Sequence, residues 1–140
     1  MFDMNPLELR VAATKKTYDK FNGKPLALGK TDCARMCAFH LRQLDHKFSL
    51  LRGGHYSNEV GARLALKKLG VSSLSEIMDQ HFPRIAPIEA LVGDIMCVRG
   101  AGDMGDSMQV VLHRGRVLGL NHGVFAELEV LEHRYAWRTV

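Results

Sequence analysis

Apolar positions along roughly the first eighty residues recur at helical spacing, and those along the last fifty fall into short alternating runs. In "NPLELRVAATKKTYDKFNG", Leu7, Val11, Tyr18 and Phe21 share one helical stripe. Asn5 as N-cap, Pro6 at the first helical position and Glu8 three residues after the cap predict the start, and Gly23 the stop. "GKTDCARMCAFHLRQLDH" predicts a second helix from near Thr31, with Cys33, Cys37, Leu41 and Leu44 as its stripe and His40 beside it. A third helix is expected from about Asn58 to Leu69, ending at Gly70. "SLSE" at 73–76 reads as a capping box for a short fourth helix that must stop before Pro83.

The period then changes. "GDIMCVRG" predicts a strand over about 94–99, and "AGDMGDS" a glycine-rich loop. "MQVVLHRGRVLGLNHGVFAELEV" reads as two or three strands turning at "HRGR" and "NHG", and "YAWRTV" as a last strand. Helices followed by a sequential antiparallel meander argue for one α+β domain over residues 1–140, its helices packed on one sheet face. Trp137 is expected to pack in the core of the last strand. Met104 and Met108, in or beside the glycine-rich loop, would suit a protein contact.

Composition narrows the function classes. The chain has 140 residues, 46% hydrophobic and 24% charged, the balance of an ordinary globular domain. No run approaches the roughly 18 apolar residues that span a bilayer, so membrane insertion is not expected. "MFDMNPLELR" lacks a basic region followed by an apolar stretch, so no secretory signal is expected and synthesis in the cytoplasm is. The net charge of +4 is mild, and "TKK", "KK" and "HRGR" are scattered without interleaved aromatics, which argues against nucleic-acid binding.

The candidate chemistry centres on Cys33. A helix N-terminus carries about +0.5 of an elementary charge, which favours a thiolate, and its free N–H groups suit an oxyanion. A cysteine nucleophile also needs a base within hydrogen-bond reach. Alternatively, Cys33, Cys37 and His40 fall at i, i+4 and i+7 on one helix face, with Cys97 on the first strand able to face them, a set suited to zinc or an iron–sulfur cluster. One helix face seldom aims three ligands at one centre, and free cysteine is among the most buried residue types. The favoured reading therefore makes Cys33 a small residue where the helix start packs on the first strand. It makes Cys37 and Cys97 core residues and His40 a helix-face residue at the sheet edge or in solvent, with no cofactor. Asp32 is explained by favourable charge in the first helical turn. Asp94, Asp103 and Asp106 could suggest a calcium loop, but the EF-hand spacing and its terminal glutamate are missing, and a solvated hairpin is the favoured reading.

The order of these motifs resembles the papain-like NlpC-type peptidases and CHAP amidases: Asp-Cys opening a helix, further helices, "GD" at the first strand, then a meander. The chain is more closely similar to a family of small phage and prophage tail-tip proteins of that fold. The matches are "GKTDC" at 29–33, "LKKLG" at 66–70, "GDIMCV" at 93–98, "LNHG" at 120–123 and "YAWRTV" at 135–140. The resemblance implies a papain-like fold in which a histidine opens the strand after the cysteine's partner strand and a polar residue on the next strand orients it. Laying "SMQVVLHRG" on that strand puts Ser107 at the histidine position and Gly119 near the orienting position. His113 lies six residues on, on the same face but about 20 Å further along. His122 lies in a turn. These two are the candidate bases if a Cys33 peptidase is live. The implied function is a structural component or assembly factor of a virion tail, assembled in the bacterial cytoplasm with other tail-tip proteins as partners. The runner-up is an active cysteine peptidase or amidase acting on peptidoglycan or a tail protein. Transient peptidoglycan contact fits either.

Overall fold

A computed structural model describes residues 4–47, 55–99, 101–102, 105–113, 115–130 and 135–140. Four helices come first: α1 (Pro6–Phe21), α2 (Cys33–Gln43), α3 (Glu59–Lys68) and α4 (Leu74–His81). The strands are β1 (Arg84–Ile85), β2 (Ile95–Arg99), β3 (Asp106–His113), β4 (Arg116–Asn121), β5 (Val124–Glu129) and β6 (Tyr135–Trp137). They form one antiparallel sheet in the order β1-β6-β2-β3-β4-β5. The α+β class and the helix-then-meander order follow the sequence reading. Two features do not. β1 is an unanticipated strand just after Pro83, and β6 inserts between β1 and β2 instead of extending the meander.

Each helix starts where a short polar side chain satisfies an otherwise orphaned N–H. Asn5, Asp32, Asn58 and Ser73 accept from Glu8, Arg35, Gly61 and Glu76 respectively. The second cap is Asp32, one residue later than the Thr31 start. In α4 the reciprocal half of the capping box shifts: Glu76 reaches back to the Ser72 N–H and hydroxyl.

The main core lies between helices and sheet. Met36, Leu41, Met78, Ile95, Met108, Leu118, Phe125 and Trp137 are fully buried there. Trp137 is core as expected, its indole N–H donating to Asp79 at 2.8 Å. Met108 is buried in the core, which corrects its expected place in a protein contact, whereas Met104 lies outside the described residues. A second, smaller cluster of Met96, Val111, Val117 and Ala136 covers the reverse face. β2 is therefore buried on both sides at Ile95, Met96 and Cys97, which identifies it as a central strand.

α1 corrects the sequence reading. Leu7 and Val11, placed on its inner stripe, are 62% and 51% exposed. The buried positions are Arg10, Ala13, Thr14, Thr17 and Phe21. This face is mostly polar because it meets the polar turn that leads into β2. Gly93 has φ +87°, and a Cβ there would lie 3.3 Å from Thr14 Oγ1 and 3.4 Å from Arg10 Cβ, so the "GD" glycine permits close approach. The Arg10 guanidinium donates to Asp94 Oδ1 at 2.8 Å and to the Val92 and Val140 carbonyls. Asp94 also accepts from the Leu91 and Thr139 N–H groups. A buried ion pair is tolerable when its remaining valences are filled in this way. The favoured reading of these aspartates as a solvated hairpin is corrected, since Asp94 and Asp106 are buried. Asp94 belongs to this ion pair, and Asp106 accepts from the Ser75 N–H at the α4 N-terminus. Asp103 is outside the described residues.

Candidate functional site

The N-terminal end of α2 is set by its entry loop. The segment 23–31 runs along the outer edge of β5, with Pro25 bridging to Val124 and the Leu26 N–H donating to the Gly123 carbonyl. Gly29 then takes φ +80° directly against Tyr56, whose carbonyl oxygen would lie 1.7 Å from any Cβ at 29. Only glycine fits there. The turn lets Asp32 collect three donors: the Arg35 N–H at 2.7 Å, the Gly29 N–H at 2.8 Å and the Tyr56 hydroxyl at 2.7 Å. Asp32 is thus more than a favourable first-turn charge. It is the buried clasp joining the loop, the helix and the segment before α3. Burial, and then the Asp32 carboxylate, push the Tyr56 phenol well above its ordinary range.

Cys33, the first residue of α2, is buried, with its thiol 3.7 Å from the Asp106 carbonyl at the start of β3. The helix start therefore packs on β3, which corrects the expected contact with the first long strand, β2. A cavity of about 230 Å³ opens beside it, walled by Leu26, Leu28, Ser107, Leu120 and His122 as well as Asp32 and Cys33.

Of the other candidates, Ser107 and His122 line this cavity and His113 and Gly119 do not. Ser107, on β3 opposite Val98 of β2, is part of its wall. His122 is brought there by the β4–β5 turn, in the left-handed conformation at φ 51°. His113 sits at the far end of β3, 63% exposed, 3.8 Å from Glu127. The bulge between Val111 and His113 breaks the strand register just before it. Gly119 pairs with Ala126 of β5, and a Cβ there would meet Gln109 Cγ at 2.8 Å. A side chain at 119 must displace the buried Gln109.

The Cys37, Cys97 and His40 side chains each have partners of their own. Cys37 lies 4.0 Å from the Met78 sulfur, and burial, reinforced by Cys33 and Cys97, raises its thiol far above the ordinary range. Cys97 lies 3.3 Å from Ser75 Oγ and is raised to about 11, mainly by burial. His40 corrects the expectation of a sheet-edge or solvent position: it is fully buried between α1 and the β2 entry. Its Nδ1 lies 2.8 Å from Thr17 Oγ1 and its Nε2 2.8 Å from the Gly93 carbonyl. Burial lowers its pKa to about 4. Among the described residues, no group of three or more His, Cys, Asp or Glu side chains converges to hold a metal ion.

Sequence reasoning missed Tyr56 and Gly29 as the supports of Asp32, since their meeting depends on long-range packing. The "G-x-x-D" spacing held half the signal, because an aspartate three residues after a left-handed glycine can accept that glycine's N–H.

The chain belongs to the family described as a domain of unknown function, DUF6950, whose model matches residues 8–139. No curated protein and no solved structure matches it.

Proposed function

We propose that this protein is a structural component or assembly factor of a bacteriophage or prophage tail tip, built on a papain-like scaffold of NlpC/CHAP type whose peptidase centre is degenerate. The carrying observation is the residue at the base position. Ser107, in the wall of the Cys33 cavity, offers a hydroxyl that cannot take a thiol proton near neutral pH, where an imidazole can. Gly119, close against Gln109, supplies no polar group to orient a base. The helix-then-meander order and the placement of Cys33 at a helix start against β3 suit the same scaffold. On this reading the cavity end and its loops contact neighbouring tail-tip proteins, with peptidoglycan contact transient and nucleic acid not a partner. No helix among the described residues is long and apolar enough to cross a membrane.

One observation favours a second reading, an active cysteine peptidase or amidase. His122 borders the same cavity as Cys33. There the Cys33 thiolate would attack a carbonyl, His122 would take the thiol proton and return it to the leaving amine, and N–H groups of the α2 start would hold the oxyanion. His113, turned toward Glu127, is the weaker base.

Two measurements separate the readings. On the structural one, Cys33→Ala leaves peptidoglycan turnover at background, and His122→Ala leaves the haloacetamide labelling rate of Cys33 unchanged below pH 7. Release of stem peptides by the wild type, lost in both variants, would establish the enzyme instead. Tails that assemble and infect normally when the protein's gene is deleted would remove the tail-tip assignment itself.

A further inference from the structure

While His40 is neutral, the chain of polar atoms that runs from α1 through α2 to the β2 entry holds one hydrogen too few for its acceptors. His40 Nε2 faces the Gly93 carbonyl at 2.8 Å. A carbonyl only accepts, so Nε2 carries a hydrogen and donates it. In the neutral ring Nδ1 is then a bare lone pair, 2.8 Å from Thr17 Oγ1. The Thr17 hydroxyl is also 3.0 Å from the Ala13 carbonyl of its own helix. A hydroxyl has a single hydrogen, so it can serve Nδ1 or Ala13, not both. Adding a proton to Nδ1 resolves the competition. Nδ1–H then donates to Thr17 Oγ1, the Thr17 hydroxyl turns to Ala13, and Nε2–H stays on Gly93.

We propose that Thr17, His40 and Gly93 form a reversible hydrogen-bond relay through which the protein interior accepts one proton without losing a hydrogen bond and without unfolding. The proton comes from solvent and binds His40 Nδ1. Thr17 gives none up; its hydroxyl hydrogen only rotates from Nδ1 to the Ala13 oxygen. The charged groups facing the ring decide how readily this happens. Asp94, at the β2 entry, favours the charged ring, as does the Gly93 carbonyl; Arg10 on α1 and His46 after α2 oppose it. Burial is the largest influence and sets the direction, while Asp94 is itself held by Arg10 and faced by Arg138 at 3.7 Å. The relay is therefore a device for acid. It is silent at neutral pH and changes the α1–α2 contact only when protons are plentiful.

Nitrogen-15 spectra of the full chain test it. At pH 7 His40 is expected as the Nε2–H tautomer, and on acidification its ring titrates near pH 4 while the backbone amide spectrum stays that of the folded protein. Thr17→Val removes the Nδ1–H acceptor, and the His40 midpoint is expected to fall by about one pH unit, tenfold in proton concentration, because hydrogen bonds to charged groups are the stronger. Thr17→Ser restores it. An Nδ1–H tautomer at neutral pH, a midpoint untouched by Thr17→Val, or a ring that stays neutral until the chain unfolds would each overturn the relay. None of these results bears on the tail-tip reading, which concerns the opposite end of α2.

Discussion

The two ends of α2 hold the same kinds of side chain in opposite circumstances. At its start, Cys33 lies at the edge of a cavity with His122 across it. Toward its end, His40 lies in a closed network where each ring nitrogen has a partner and Arg10, Asp94 and Thr139 complete the surroundings. The difference comes from what each end meets. The closed end is pressed by α1 onto the tight Gly93 turn, with Arg10, Thr17 and His40 all buried. The cavity end meets the start of β3 and the β4–β5 turn, where strands finish and Gly102 and Gly123 line the opening. The same residue types border open space at a strand tip and serve as sealed structural contacts between helix and sheet.

The largest effect should come from breaking the closed end. Asp94→Ala leaves the buried Arg10 charge without its partner, and losing one member of such a pair costs about 3–5 kcal/mol. Against a typical domain stability of about 5–15 kcal/mol, urea denaturation should show a severely weakened or unfolded protein. If Asp94→Ala melts like the wild type, the two ends do not differ in kind.

Acid should act at the same end. His40 has its pKa lowered to about 4 by burial, whereas in the unfolded chain it is about 6.5. Between those values the unfolded state binds a proton that the folded state does not. Stability is therefore complete above pH 6.5, falls as pH drops, and levels below pH 4, by roughly 3 kcal/mol in all. Urea midpoints across this window check it, and His40→Gln should flatten that part of the slope.

At the cavity end the clasp is the vulnerable point. Tyr56→Phe removes one of three donors to Asp32 and should cost about 1.5 kcal/mol, the lower range for a hydrogen bond to a charged group. His122→Ala should be the mildest. The exposed turn residue leaves no buried group orphaned, so its stability change should stay within about 0.5 kcal/mol. A loss of several kcal/mol there would mean that the cavity end is as closed as the other.

Much of this was legible locally. The caps at Asn5, Asn58 and Ser73, the α2 stripe through Cys37 and Leu41, and the "NHG" turn all express contacts within a few residues, so short-range rules recover them. α1 shows where such rules fail. Arg10, Thr14, Thr17 and Phe21 also keep helical spacing, but only Phe21 is apolar, so hydrophobicity favoured Leu7 and Val11. A hint was present: Ala13, Thr14 and Thr17 are small or short, while Lys15, Lys16, Asp19 and Lys20 occupy the other face. β1 stayed hidden because a two-residue strand has no period, and β6 reaches its place beside β2 only through pairing of Tyr135 with Cys97 and Trp137 with Ile95.

The sequence alone determined where helices begin, where strands turn and that Cys33 opens a helix, since each depends on hydrogen bonds and side-chain periods spanning a few residues. Tertiary structure decided which polar residues meet. Arg10 finds Asp94 84 positions away, Tyr56 finds Asp32, and the β4–β5 turn carries His122 to the thiol's cavity. Burying a charge or a polar group is favourable only once its partner is in place, and partners that far apart in the chain are chosen by packing.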